Sequence, residues 1–300
     1  MTNKVIGTGS AKSRAGSRLK DYAGLLPFLA FTGLFLIYPT ISVLFGAFQD
    51  PKGNWDASAF KGMFSDPVTK NAFSNSMQIS FTTAISGSIL GGLFAWALVS
   101  GKKEGFFYRF SVALSSVLAQ FGGVMLTFAF LATFGFNGLV SSYAVKHLPN
   151  SFLSNSSWLY ELNGLSVVYT FFQIPLMVIV FLPTIQNLRP QWREASDSLG
   201  GGMLEFWLRI GIPVLTPSFA GAALLLFVNS FSAYATAQTL VNVSSLLTPL
   251  QIGAALTSEV GGANPSEAKA LSLLMVAVVT VAMFLYSLLR KKVSKWESTR

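Results

Sequence analysis

Six apolar stretches, each near 20 residues long, constrain this chain more than any other feature of its sequence. A helix of about 20 apolar residues crosses the hydrocarbon core of a bilayer. The central parts of these stretches contain no Asp, Glu, Lys or Arg, as expected when a charge at the centre of a span costs about 2.5–3.5 kcal/mol. The sequence therefore predicts an all-α membrane protein with six transmembrane helices, at about 22–48, 76–99, 111–134, 165–185, 218–240 and 268–289.

The composition and the distribution of charge agree with a membrane protein. Hydrophobic residues make up 52% of the chain and charged residues 11%, whereas soluble chains carry about 25% charged residues. The net charge of +9 would also suit a nucleic-acid partner, but most Lys and Arg residues lie at the two ends and in the second and fourth connections between spans. Basic segments stay in the cytoplasm, so we predict cytoplasmic N and C termini, a multi-pass protein of the cell (plasma or inner) membrane, and no nucleic-acid partner.

The two ends of the chain are polar. Residues 1–21 are basic and rich in Gly and Ser, which predicts a disordered cytoplasmic tail, and residues 291–300 form a second basic cytoplasmic tail. The apolar run at 22–48 is longer than the core of about 7–15 residues in a cleavable signal peptide, so we interpret it as a span.

The fourth connection, residues 190–217, carries the most specific pattern in the chain. It begins with Pro190 and contains three glycines at 200–202. Proline at the start and glycine just past the end are the favoured limits of a short helix. We predict a helix over 190–199, a glycine turn, and a second helix over 203–210 that Pro213 ends. Four apolar residues of the second helix share one face by their i, i+3, i+4, i+7 spacing: Met203, Phe206, Trp207 and Ile210.

This connection resembles the EAA loop of ABC importer permease subunits. The family pattern is E-A-A-x3-G-x9-I-x-L-P, and Glu194-Ala195-Ser196, Gly200 and Ile210-Gly211-Ile212-Pro213 match its spacing, with Ser196 and Ile212 as conservative departures. The resemblance implies a type I ABC importer permease (MetI-like) bundle over residues 22–290, with cytoplasmic coupling helices in the loop. An ordinary interfacial helix-turn-helix between two spans is the alternative.

The resemblance also implies roles and partners. The loop would contact an ATPase through Glu194, Ala195, Ser196, Gly200, Met203, Trp207, Ile210 and Pro213. Expected partners are a cytoplasmic ABC ATPase dimer, a second permease subunit (homologous or identical), an extracytoplasmic solute-binding protein and the lipid bilayer. The chain itself is expected to be no enzyme and to bind no cofactor, because the segment GTGSAKS at 7–13 has Ala11 where a phosphate-binding loop needs glycine. ATP would be used by the partner ATPase.

Polar residues in three spans are candidates for a solute path. Unpaired polar groups facing lipid are costly, so we expect these side chains to face the interior of the bundle, where they either line a cavity or join helices by hydrogen bonds. The fifth span is the most polar in its outer half. The candidates are Asn229, Ser232, Tyr234, Thr236 and Gln238 in the fifth span, Gln173 in the fourth and Gln120 in the third.

Two other classes of protein stay open. An ion-coupled secondary transporter is the main alternative, although the spans lack the carboxylates and histidines that proton relays use; a sodium-coupled carrier with neutral ligands would not need them. A structural membrane protein would explain the spans but not the loop. With no cysteine and a single histidine, His147, we expect no metal site. The later spans resemble the polyamine-type permease subgroup, which implies a small, polyamine-like solute.

Overall fold

The computed structural model describes residues 25–49, 54–56, 65–101, 105–148, 151–241, 246–257 and 265–298. Within these ranges the chain is helical, and no strand longer than the isolated bridge between Gln49 and Trp55 is present. The helices are α1 (Leu26–Gly46), α2 (Pro67–Ser100), α3 (Phe106–Gln120), α4 (Val124–Phe134), α5 (Leu139–His147), α6 (Leu162–Gln186), α7 (Pro190–Ser198), α8 (Met203–Phe231), α9 (Ala235–Leu240), α10 (Thr248–Thr257) and α11 (Pro265–Ser298).

Six helical stretches in the described residues are long and apolar enough to cross a membrane. They confirm the predicted fold class of an all-α membrane protein with six transmembrane helices. The stretches are Leu26–Gly46, Pro67–Ser100, Val124–His147, Leu162–Gln186, Met203–Phe231 and Ser266–Leu288.

Two of the predicted spans are interrupted in the structure. The stretch predicted as one helix at 111–134 consists of α3 and α4, separated by residues 121–123, where Gly123 has φ +68°. The stretch predicted at 218–240 consists of the end of α8 and the short α9, separated by residues 232–234. Hydropathy did not reveal either interruption, because the residues at both are as apolar or as weakly polar as their neighbours.

Pro213 does not end a helix, contrary to the prediction. Helix α8 runs on through a π-helical turn at Trp207–Gly211 and continues from Ile212, with Pro213 in the first turn of the following α-helical segment. Proline lacks the N–H that would bond to the carbonyl of Arg209, and a π turn is a common way for a helix to accommodate such a local mismatch.

Helix α2 is central to the bundle and packs most extensively against α6 and α8. It begins at Pro67 after Asp66, whose carboxylate accepts hydrogen bonds from the backbone of Val68 and Thr69. The hydroxyl of Thr69 donates to the same carboxylate at 2.8 Å, and this bond, with the two backbone bonds, lowers the pKa of Asp66. The cap stays charged, and therefore effective, at all ordinary pH values.

Glycines allow α2 to approach its neighbours closely. A Cβ atom at Gly91 would lie 2.6 Å from the carbonyl oxygen of Ile174 in α6, and one at Gly92 would lie 2.9 Å from the ring of Phe219 in α8. Small residues at helical spacing permit this close packing in membranes.

Two apolar clusters fill the bundle, one toward each end. Ala84, Val178 and Leu215 belong to the cluster near α7, at what we call the loop end, and Tyr169 and Leu250 belong to the cluster near the opposite end. A buried polar layer lies between the clusters and is described below.

The first helix is attached to the bundle mainly at one end. Its 18 most apolar residues include none that is buried, and its contacts are with α11, where the side chain of Lys269 packs against Gly46 and the hydroxyl of Ser266 donates to the carbonyl of Gln49. The predicted tail at 1–21 lies outside the described residues. The predicted tail at 291–300 is helical through Ser298, as the continuation of α11.

Candidate functional site

The connection between α6 and α8 forms two helices joined by a tight turn, and we call residues 190–211 the two-helix loop. Helix α7 ends in a Schellman motif: the amide of Gly201 donates to the carbonyl of Ser196 at 2.9 Å, and the amide of Gly200 donates to the carbonyl of Asp197 at 3.0 Å. Gly200 has φ +79°, a left-handed conformation that glycine adopts at low cost. The glycine turn predicted from the sequence is therefore present, and it fixes the angle between α7 and α8.

The surface of the two-helix loop is apolar along one side. Leu199 is 89% exposed and Leu204 73% exposed, and Met203 and Leu208 are also exposed. The sequence analysis predicted Met203 but missed the three leucines, because helical spacing groups residues into faces without telling which face meets the bundle. A patch of this kind on a membrane protein, at the end of its spans rather than along them, is suited to contact with another protein.

Several predicted loop residues belong to the bundle rather than to the exposed surface. The ring of Trp207 packs edge-on against Trp96 of α2, with centroids 6.1 Å apart, and Phe206 is buried. Ser196 is also buried, against Gly201. Phe206, which shares the predicted apolar face, is turned into the bundle, and Trp207, a predicted ATPase contact, is half-buried against Trp96. Glu194, Ala195, Gly200, Met203 and Pro213 are exposed, and Ile210 is half-buried.

A polar layer joins three helices in the middle of the bundle. The hydroxyls of Thr83 in α2 and Ser230 in α8 are 2.9 Å apart, and the side-chain amide of Gln173 in α6 donates to Thr83 at 2.9 Å. Gln173 is fully buried. The structure therefore places Gln173, a predicted path residue, in a helix contact, with its side-chain oxygen buried and without a hydrogen-bond partner among the described residues.

The two helix interruptions meet each other next to this polar layer, and we call residues 121–123 and 232–234 the paired breaks. A Cβ at Gly123 would lie 3.6 Å from the Cβ of Ala235, and the hydroxyl of Thr127 donates to the carbonyl of Thr236 at 3.4 Å. Helix α8 ends one residue after Ser230, while α2 extends 16 residues beyond Thr83, about 24 Å at 1.5 Å per residue. The paired breaks thus lie well inside the length of the bundle.

Most of the predicted path residues surround the paired breaks. Gln120 precedes the first break and is exposed; Asn229, Ser232 and Tyr234 flank or form the second and are exposed; Gln238 follows in α9 and is exposed. Thr236 is buried and packs inside the bundle, so it is not part of this exposed group. Irregular backbone at membrane depth is tolerated where it is buried in protein or lines a water-filled cavity, which makes the exposed side of the paired breaks the candidate path.

The described residues offer no metal centre: no group of three or more His, Asp or Glu side chains lies together there. The chain contains no cysteine. The one ion pair found among the described side chains, Arg209 with Glu205 at 3.1 Å, lies on the exposed surface of α8 at the loop end. The candidate site is therefore neutral and polar at the paired breaks, whereas the two-helix loop carries both exposed apolar side chains and exposed charges.

Comparison of the sequence with curated proteins finds transport permeases. The chain is 25% identical over 170 residues to a probable sulfate transport system permease protein cysT from Helicosporidium sp. subsp. Simulium jonesii, covering 57% of this chain and 60% of the relative. It is 21% identical over 216 residues to a putative ferric transport system permease protein FbpB 1 from Haemophilus influenzae, covering 71% and 33%. The chain thus spans less than two thirds of either relative.

A shorter match of higher identity covers one part of the chain. Over 63 residues it is 38% identical to a spermidine/putrescine transport system permease protein PotC homolog from Mycoplasma genitalium, covering 21% of this chain and 22% of the relative. No family model matches the sequence.

Solved structures share the fold over nearly the whole chain. A chain of a bacterial ABC transporter involved in the import of the acidic polysaccharide alginate superposes with a TM-score of 0.70 at 17% identity, covering 93% of this chain and 99% of that one. A second structure, of the alginate transporter in complex with an alginate pentasaccharide-bound periplasmic protein, gives a TM-score of 0.67 at 17% identity, covering 93% and 95%. In sequence the chain is therefore similar to transport permeases, and in fold it is similar to the permease chains of ABC transporters.

Proposed function

We propose that this chain is the translocation-pathway subunit of an ATP-driven importer that receives a small solute from an extracytoplasmic binding protein. One observation carries the proposal: a single helix, α8, joins the two-helix loop to the paired breaks. Helix α8 starts in the apolar loop surface at Met203 and ends at the polar break after Phe231. A permease needs one surface for its energy source and one opening for its solute, and α8 links two such features.

The proposal orients the chain with the two-helix loop and both termini in the cytoplasm. The loop then docks on a dimer of cytoplasmic ABC ATPase subunits, which use the ATP, and the chain pairs with a second permease subunit, identical or homologous. The opposite end meets the solute-binding protein. The alginate transporter, whose structure includes such a periplasmic protein, supports this arrangement. The chain itself acts as a transport subunit without a bound cofactor.

The experiment that tests this function first identifies the ATPase and binding protein that the proposal expects among the neighbouring genes, and then combines them with the chain. Co-purification of the ATPase, and ATP hydrolysis stimulated by the binding protein in reconstituted membranes, are expected for the wild-type chain. Glu194→Arg, which reverses an exposed charge on α7, should weaken both. Glu161→Arg reverses an exposed charge at the opposite end and serves as the matched control for ATPase association. Uptake driven by an ion gradient without the ATPase would instead establish an ion-coupled transporter.

The solute class is addressed by the same binding protein. The relatives are named for sulfate, ferric and spermidine/putrescine transport, and the short match of 38% identity supports a polyamine-like solute as the finer proposal. A thermal-shift screen of the binding protein against sulfate, ferric ion, spermidine and putrescine distinguishes the three classes. Stabilisation by the polyamines alone supports this finer proposal, and stabilisation by sulfate or iron alone contradicts it.

A further inference from the structure

The break between α8 and α9 is held by a hydrogen bond from a buried tyrosine. The hydroxyl of Tyr169, in α6, donates to the backbone carbonyl of Ala233 at 2.5 Å. Tyr169 is 1% exposed and packs against Phe172, with ring centroids 5.5 Å apart. A side chain confined in this way holds its hydroxyl at a fixed place, so the carbonyl of Ala233 is positioned by α6 rather than by its own helix.

The carbonyl that Tyr169 holds is the next one that α9 would use if it grew toward α8. Helix α9 starts with the bond from the amide of Gln238 to the carbonyl of Tyr234; in a helix extended by one more residue, the carbonyl of Ala233 would accept from the amide of Ala237, and the break would shorten from that side. A carbonyl that accepts the Tyr169 hydroxyl is directed toward α6. Breaking a helix inside a membrane requires such replacement partners for the freed backbone groups.

Neighbouring contacts support the same segment from a second side. The hydroxyl of Thr127 donates to the carbonyl of Thr236, and Gly123 lies against Ala235. These contacts join the first break and α4 to α9, at the first two residues after the break. Tyr169 is the side chain that bonds to the break itself, between the exposed path candidates Ser232 and Tyr234.

We propose that Tyr169 is a positioning residue for transport: it keeps the α8–α9 break open and thereby sets where Ser232 and Tyr234 stand along the solute path. This inference rests on the proposed function for its transport consequence. The claim that Tyr169 holds the break in place rests on the geometry alone. The position of the break and the rate of transport are measured separately.

The test compares Tyr169→Phe with Tyr160→Phe. Both changes remove one hydroxyl and leave the ring, but Tyr160 stacks on Phe136 just before α6 and makes no hydrogen bond to the break among the contacts that the structure describes. Each is combined with Ser232→Cys, which places the single thiol of the chain at the break because the natural sequence has no cysteine. One hydrogen bond corresponds to about a fivefold change in an equilibrium, so Tyr169→Phe should change the rate of maleimide labelling at position 232 about fivefold. Tyr160→Phe should leave the rate unchanged.

Transport is read in the same membranes without the added cysteine. Tyr169→Phe should lower solute uptake about fivefold while the ATPase still co-purifies, because the two-helix loop is untouched. An unchanged labelling rate overturns the inference, and a changed labelling rate with wild-type uptake overturns its transport part. If the wild-type chain fails to bind the ATPase, the proposed function fails while the labelling comparison still decides the role of Tyr169. Should Tyr169→Phe fail to accumulate, Tyr169→Met, which also lacks the hydroxyl that bonds to Ala233, is labelled in the same way, and an unchanged labelling rate overturns the inference.

Discussion

Gly200 gives the sharpest test of the two-helix loop, because its surroundings separate backbone strain from steric crowding. Its φ is +79°, and a Cβ atom built there meets nothing within 4 Å. A side chain at this position therefore costs only the left-handed backbone conformation, about 1–2 kcal/mol for an ordinary L residue. That energy corresponds to about a fivefold to thirtyfold loss of the loop conformation that the structure shows. Gly200→Ala should weaken the affinity for the ATPase by this factor.

Two variants of the same turn serve as controls. Asparagine adopts the left-handed region more readily than other non-glycine residues, so Gly200→Asn should weaken binding less than Gly200→Ala. Gly202 also has open space around its Cβ position, but its backbone is extended, with φ −79° and ψ 172°, so Gly202→Ala should bind as the wild type does.

The assay is titration of the purified permease, in lipid nanodiscs, with the ATPase subunit. Insertion of each variant is checked by its amount in the membrane fraction. Equal affinity for Gly200→Ala and the wild type would show that the loop conformation does not control docking. Equal weakening by Gly200→Ala and Gly202→Ala would show that loss of glycine flexibility, rather than the left-handed conformation, is responsible.

Three further predictions address the topology, the path and the packing. A cysteine introduced at Arg193 should react with an impermeant thiol reagent only after the cells are opened, and one at His147 should react in intact cells; the reverse pattern would invert the topology. Asn229→Leu, at the exposed side of the break, should lower uptake severalfold with the ATPase still bound, and loss of assembly in this variant would show that Asn229 serves packing instead. Gln173→Leu should reduce the amount of folded protein. Gly91→Leu should prevent folding, because its Cβ would lie 2.6 Å from a backbone carbonyl, so normal accumulation in the membrane would refute the close helix contact.

Local chemistry made the two-helix loop largely predictable. The helix predicted over 190–199 is observed as Pro190–Ser198, because proline and glycine act on the backbone at their own positions. The continuation of α8 past Pro213 was not predictable in the same way. It depends on the π turn at Trp207–Gly211 that realigns the hydrogen bonds and on packing of Trp207 against Trp96, and Trp96 is distant from the proline in the sequence.

The candidate path was predictable only in outline. Polar residues late in the fifth span indicate a site, but no sequence pattern separates Thr236, which is buried, from Ser232, which is exposed. The separation follows from the break at 232–234, which rotates the chain between these two residues. The break in turn depends on Tyr169, 64 positions away, and a contact over such a distance in the sequence leaves no periodic signal.

Helix α8 allows a movement at the loop to reach the paired breaks. It contains 29 residues, about 43 Å at 1.5 Å per residue, and its buried side chains Leu215 and Leu226 pack in the apolar cluster at the loop end. Among the contacts that the structure describes, the hydrogen bond between Ser230 and Thr83 is the only polar contact of α8 with α2 beyond that cluster. Apolar surfaces slide over one another at lower cost than hydrogen bonds break. When the two-helix loop is displaced, α8 would therefore slide with little resistance along most of its length and meet the most resistance at Ser230. Because Ser230 lies one residue before the end of the helix, the strain would fall on the adjacent break that Tyr169 holds.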